Sequence, residues 1–180
     1  MPSNLVPEHY NIELRPHFYD PDPANFLLEG NTTITLRVVE ATSTVLVHYR
    51  TLVIEQEDVT VRYQDNGQEV PLKELEKDPV QEIYRFYLQS ELEAGRTIVV
   101  FIHYTAPLTA KPRVGIYYST YYEDDELKYM LATQFEPIDA RKAYPCLDEP
   151  GLKAKFNVTM WSQSPMTALT NMPVYETETE

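Results

Sequence analysis

Apolar and polar residues alternate along most of this chain with a period of two, the spacing that sends successive side chains to opposite faces of a β-strand. In residues 9–14, Tyr10, Ile12 and Leu14 share one face. A Pro- and Asp-rich loop over 16–23 follows. Residues 26–39 then set Ile34, Leu36 and Val38 against Thr33, Thr35 and Arg37, a strand with one wet face. Short strands are predicted over 45–49 and 52–54, with His48 as a packed histidine between them. Val59, Val61 and Tyr63 alternate up to Asp65-Asn66-Gly67, a strong hairpin signal, and Val70 and Leu72 begin the return. The charged run 73–78 reads as a loop or a single helical turn. Residues 83–88 form another strand. Residues 97–104 are apolar at both alternations, which predicts a central strand buried on both sides. Strands over 115–122 and 129–136 flank an acidic turn at 123–126. Residues 153–161 set Ala154, Phe156, Val158 and Met160 on one face, and 167–172 is the last strand-like piece.

Ten or so short strands rich in β-branched and aromatic residues, with 14 prolines, exclude a helical protein. The expected class is all-β, an antiparallel β-sandwich or a curved, saddle-like sheet. A length of 180 residues suits one domain with a core of its own. The formal charge of -13 argues against nucleic acid, whose phosphates call for a basic face. The single cysteine, Cys146, permits no internal disulfide and reads as a small buried hydrophobe. No apolar run is long enough to span a membrane, and Met1-Pro2-Ser3 does not read as a secretion signal. Two N-x-S/T sequons make Asn31 and Asn157 candidate glycosylation acceptors, which favours an extracellular or cell-surface setting over a cytoplasmic one.

The densest chemistry lies at Thr133-Gln134-Phe135-Glu136-Pro137. Strand alternation places Gln134 and Glu136 on one face while Phe135 anchors on the other. Pro137 lacks a backbone donor and ends the ladder. The expected result is a strand tip that presents an amide and a carboxylate together. Just downstream, Asp139, Arg141, Asp148 and Glu149 form a charge cluster. Arg141 can satisfy carboxylates and carbonyls in an irregular segment, so the cluster reads as support for the tip rather than as catalytic groups.

These stretches, together with Tyr144-Pro-Cys-Leu-Asp-Glu-Pro150, Ala168-Leu-Thr-Asn-Met-Pro173 and Leu5-Val-Pro-Glu-His-Tyr10, resemble the N-terminal domain of M1 gluzincin aminopeptidases along essentially the whole chain. Leu147 and Gly151 stand where an aromatic residue and an alanine are common in that family. The resemblance implies that Glu136 binds the α-amine of a substrate and that Gln134 lines the pocket for its first side chain. It implies peptide N-termini as partners once the domain is joined to a catalytic domain. It also implies zinc as the family's cofactor, held by an H-E-x-x-H helix on that later domain. No such motif occurs here: His9, His17, His48 and His103 are neither followed by Glu nor paired at i, i+4. No cofactor and no turnover are therefore expected of this chain by itself. A stand-alone module that binds a protein or peptide partner is the alternative. A hydrolase built from Glu136, Asp148 and Glu149 is a third reading.

Overall fold

A computed structural model describes residues 1–164 and 166–178. The strands are β1 (Leu5–His17), β2 (Leu27–Val38), β3 (Thr42–His48), β4 (Val59–Tyr63), β5 (Leu72–Asp78), β6 (Ile83–Leu92), β7 (Thr97–Pro107), β8 (Gly115–Glu123), β9 (Glu126–Gln134) and β10 (Lys155–Met160). Among the described residues, three short 3-10 turns interrupt them. The fold is all-β and sandwich-like. One sheet runs β10-β1-β2-β7-β4, a second runs β3-β6-β5, and β8-β9 stands as a separate ribbon. Every pairing is antiparallel except that of β1 with β10, which is parallel.

The inner face of the large sheet carries Tyr10, Ile12 and Leu14, then Ile34, Leu36 and Val38, then Ile98, Val100 and Ile102. These join Val45, Val47, Tyr84 and Phe86 of the second sheet in one buried cluster. The Asn66-Gly67 turn does not close a simple hairpin. Val70 N–H bonds the Val61 carbonyl at 2.8 Å, but the chain then leaves β4 and enters the second sheet as β5.

Four expectations need correction. Residues 73–78 are a strand, not a loop or helical turn. The charges there are satisfied across the ladder, where Arg85 reaches Glu76 and Asp78 and the Tyr87 hydroxyl donates to Glu76 at 2.6 Å. β7 is central but buried on one face only. Phe101 is 37% exposed and Val99 half-buried, because no layer among the described residues covers the outer side. Residues 52–54 form no strand and make only an isolated bridge, Val53 to Thr105. Residues 167–172 form no strand, with a bend at 171–172 and Leu169 90% exposed.

One close approach limits the large sheet. Gly30 on β2 lies opposite Tyr104 on β7, and a β-carbon there would sit 2.5 Å from the ring's Cζ and hydroxyl oxygen. Tyr104 is fully buried, so the ring has nowhere to go. Gly30→Ala is expected to destabilise the fold by about 1–3 kcal/mol, the usual cost of overpacking. The urea midpoint of the variant checks this.

Candidate functional site: the tip of β9

The ribbon reaches the core through aromatic edges. Phe26 meets Tyr118 and Tyr129, each at 5.1 Å between ring centres, and the two tyrosines meet each other at 5.9 Å. This fixes β9 where it emerges. The strand ends at Gln134, opposite Gly115, two residues earlier than the sequence pattern suggests. Residues 136–139 form a turn, closed by the Asp139 N–H donating to the Phe135 carbonyl at 2.8 Å. The Glu136–Pro137 peptide bond is cis.

Glu136 and Gln134 are therefore neighbours through a turn, not through strand alternation. The Gln134 amide donates to the Glu136 carbonyl at 3.5 Å. Phe135 is half-buried against Tyr144, edge to face at 5.9 Å. Both Gln134 and Glu136 are exposed. The Glu136 carboxylate makes no hydrogen bond or ion pair among the described residues.

Beneath this tip lies an ionic network drawn from three separate loops. Arg50, just past β3, grips the Glu82 carboxylate with two bonds, 2.6 and 2.8 Å long. Its third nitrogen donates to buried Asp139. Arg141 donates through Nε to Asp148 at 3.0 Å and through Nη1 to Glu82 at 3.3 Å. Backbone bonds lace the same parts together: Arg50 N–H to the Arg141 carbonyl at 2.8 Å, and His48 N–H to the Cys146 carbonyl at 2.8 Å. The Arg50 guanidinium holds the Glu82 carboxyl below the usual carboxylate range, with burial opposing it.

The structure thus brings Asp139, Arg141 and Asp148 into one assembly. Glu149 stands apart from it and accepts from the Met1 ammonium. Arg50 and Glu82 escaped the sequence reading. They lie 89 and 57 positions before Asp139, on loops with no local signal, and only the fold makes them neighbours. Lys142 is buried as well, donates to the Pro112 carbonyl at 3.4 Å, and is pushed down by burial. Burial likewise pushes the Cys146 thiol well up, so it offers no ready thiolate. A groove of about 180 Å³ runs beside the turn, lined by Tyr10, Pro137, Tyr144, Leu147, Asp148 and Phe156.

His48 packs under this assembly, and its Nδ1 accepts the Asp148 N–H at 3.1 Å. Burial, then the Arg141 charge, hold the ring below the ordinary histidine value of 6.5, while Asp148 and Glu149 pull the other way and the Met1 ammonium adds a weaker downward push. Protonation of Nδ1 would remove the acceptor. The unfolded chain takes up this proton near pH 6.5 and the folded chain only below it. This contribution to stability is therefore complete above about pH 6.5 and is lost as pH falls toward the lowered folded value. We expect the urea midpoint to drop as pH falls below about 6.5, and His48→Asn, which keeps an acceptor but cannot titrate, to flatten that drop.

The sequon asparagines sit in different settings. Asn157 is exposed on β10 and donates to Asn11 at 3.0 Å. Asn31 is half-buried mid-sheet, where it donates to Glu13 at 3.0 Å and pairs with His103 at 3.0 Å. Among the described residues no group of three or more His, Cys, Asp or Glu side chains is arranged to hold a metal ion. Among the described residues no helix is long and apolar enough to cross a membrane.

A family model described as the Peptidase M1 N-terminal domain matches residues 6–180. Over 96% of its length the chain is 34% identical to aminopeptidase Q of Mus musculus and covers 32% of that protein. It is 30% identical to aminopeptidase N of Bos taurus over 96% of its length, covering 18% of that protein. The same identity holds over 98% of its length for aminopeptidase 2 of Candida albicans, again with 18% covered. The chain spans between 18% and 32% of these relatives. With the match running from β1 to the last residues, the chain belongs to the M1 peptidase family, and what it carries is that family's N-terminal domain.

Proposed function

We propose that this domain supplies the substrate-anchoring part of an M1 aminopeptidase. Glu136 binds the α-ammonium of a peptide and Gln134 lines the pocket for the first side chain. The bond-breaking groups reside on a separate domain. The carrying observation is an exposed carboxylate, without a partner among the described residues, on a turn held from below by an ionic network. A free carboxylate on a mobile loop would lose its binding gain to ordering entropy, whereas one on a fixed turn keeps it.

M1 chemistry depends on zinc, and the residues present do not fit that ion. His48 already uses Nδ1 on Asp148 N–H, and His103 and His17 pair with Asn31 and Glu29. The chain's own contribution is binding and orientation. The sequons and the animal relatives support an extracellular or cell-surface setting, with the exposed Asn157 as the better placed acceptor.

The test compares the chain alone with the chain joined to an M1 zinc domain. The joined protein should cleave peptides with a free N-terminus and lose efficiency on Glu136→Gln. The chain alone should neither cleave nor measurably bind them. Tight binding by the chain alone would favour a self-sufficient binding module, and cleavage by it would favour an independent hydrolase.

A further inference from the structure

We propose that Glu82, on the β5–β6 turn, is a positioning residue for Glu136 and acts through Arg50 and Asp139. This inference rests on the reading that Glu136 holds the substrate ammonium. The route is short and continuous. Glu82 takes two bonds from Arg50 and one from Arg141. Arg50 then donates to Asp139, whose own N–H closes the turn that carries Glu136.

Three features single out Glu82 within the network. Within the network it is the carboxylate that bonds both arginines, so it links the Arg50–Asp139 pair to the Arg141–Asp148 pair. Its backbone sits at φ 56°, a left-handed conformation unfavourable for a residue with a side chain. Its carbonyl also accepts the Tyr49 N–H at 2.9 Å, which ties the strained residue to the end of β3 beside Arg50. A carboxylate needed only for surface charge would not require a strained backbone gripped at both ends. The depressed pKa of Glu82 is consistent with a carboxylate kept charged for its partners.

Two measurements test this. In the full 180-residue chain, Glu82→Gln should speed amide hydrogen exchange at Asp139 and Lys142 about tenfold, with less than about twofold change at Ile12 and Ile34 in the large sheet. Equal acceleration everywhere, or none at Asp139, would overturn the proposal, since either reports a role only in global stability or no role. In the chain joined to a zinc domain, a double-mutant cycle follows KM for a free-N-terminus peptide. Glu82→Gln alone should raise KM about tenfold with kcat little changed, the pattern of lost uniform binding. In a Glu136→Gln background it should add less than about twofold, because the group it positions is gone. Equal effects in both backgrounds would overturn the positioning role. If Glu136→Gln alone leaves kcat/KM for the free-N-terminus peptide unchanged, the anchoring role of Glu136 fails instead, while the exchange result still decides whether Glu82 holds the turn.

Discussion

Glu136→Gln is expected to lower kcat/KM for peptides with a free N-terminus about a hundredfold in the protein that joins this domain to a zinc domain. The estimate starts from an ammonium about 4 Å from a carboxylate, worth roughly 4 kcal/mol at an effective dielectric near 20. Desolvation of both ions removes part of that gain and leaves about 2–3 kcal/mol. Glutamine keeps the shape and one acceptor oxygen, so the loss reports charge and not packing. The Glu136 carboxylate makes no hydrogen bond or ion pair among the described residues, so the substitution should leave the unfolding midpoint in place. Steady-state kinetics on one peptide, with the N-acetylated peptide as a competitive ligand, reads the effect. Wild type should prefer the free amine strongly, and the variant should lose most of that preference. An unchanged preference would remove Glu136 from the site. A variant that loses activity and stability together would show that the turn, and not the charge, had been disturbed.

Much of this tip is written locally, and the rest is not. The Gln-Phe-Glu-Pro segment announces a strand end with an amide and a carboxylate, and Phe135 does anchor against the core. That the strand stops at Gln134 and Glu136 lies on a turn was hidden, because alternation extrapolates a strand past the point where Asp139 folds the chain back. The inner faces of β2 and β7 were legible from Ile34, Leu36, Ile98 and Val100. The outer face of β7 was not, since hydrophobicity at Val99 and Phe101 does not say whether a second layer lies above them. The charged strand β5 failed for a different reason. Its residues look like solvent-loving loop until Arg85 and Tyr87 are laid opposite them, and cross-strand partners are invisible in a local window. The parallel seating of β10 on β1 is likewise a matter of topology, for which a two-residue period carries no direction. Arg50 and Glu82 belong to the same class. Each is an ordinary charged residue until three loops converge.

Convergence also sets the largest expected loss of stability. Arg141→Met should destabilise the domain by roughly 3–5 kcal/mol, the cost of removing one partner from a buried ionic pair. The side chain is 8% exposed and faces Asp148 and Glu82, whose side chains are 14% and 28% exposed. Methionine replaces the stem but leaves Asp148 with no cation of its own. It also removes the bond from Nη2 to the Asp148 carbonyl at 3.4 Å. Arg141→Lys should recover less than half of the loss, because one ammonium cannot reach Asp148, its carbonyl and Glu82 as the forked guanidinium does. Salt separates this network from surface pairs. Arg96 with Asp65 joins a side chain 61% exposed, and such a pair fades as ionic strength rises. The Arg141 contribution should persist between about 0.1 M and about 1 M sodium chloride. Urea unfolding of wild type, Arg141→Met and Arg141→Lys at both salt concentrations tests this. A loss below about 1 kcal/mol, or one that vanishes in salt, would make the network a solvated surface cluster. The turn under Glu136 would then need another source of rigidity. A large, salt-resistant loss would mean that the anchor for Glu136 is built into the stability of the domain itself.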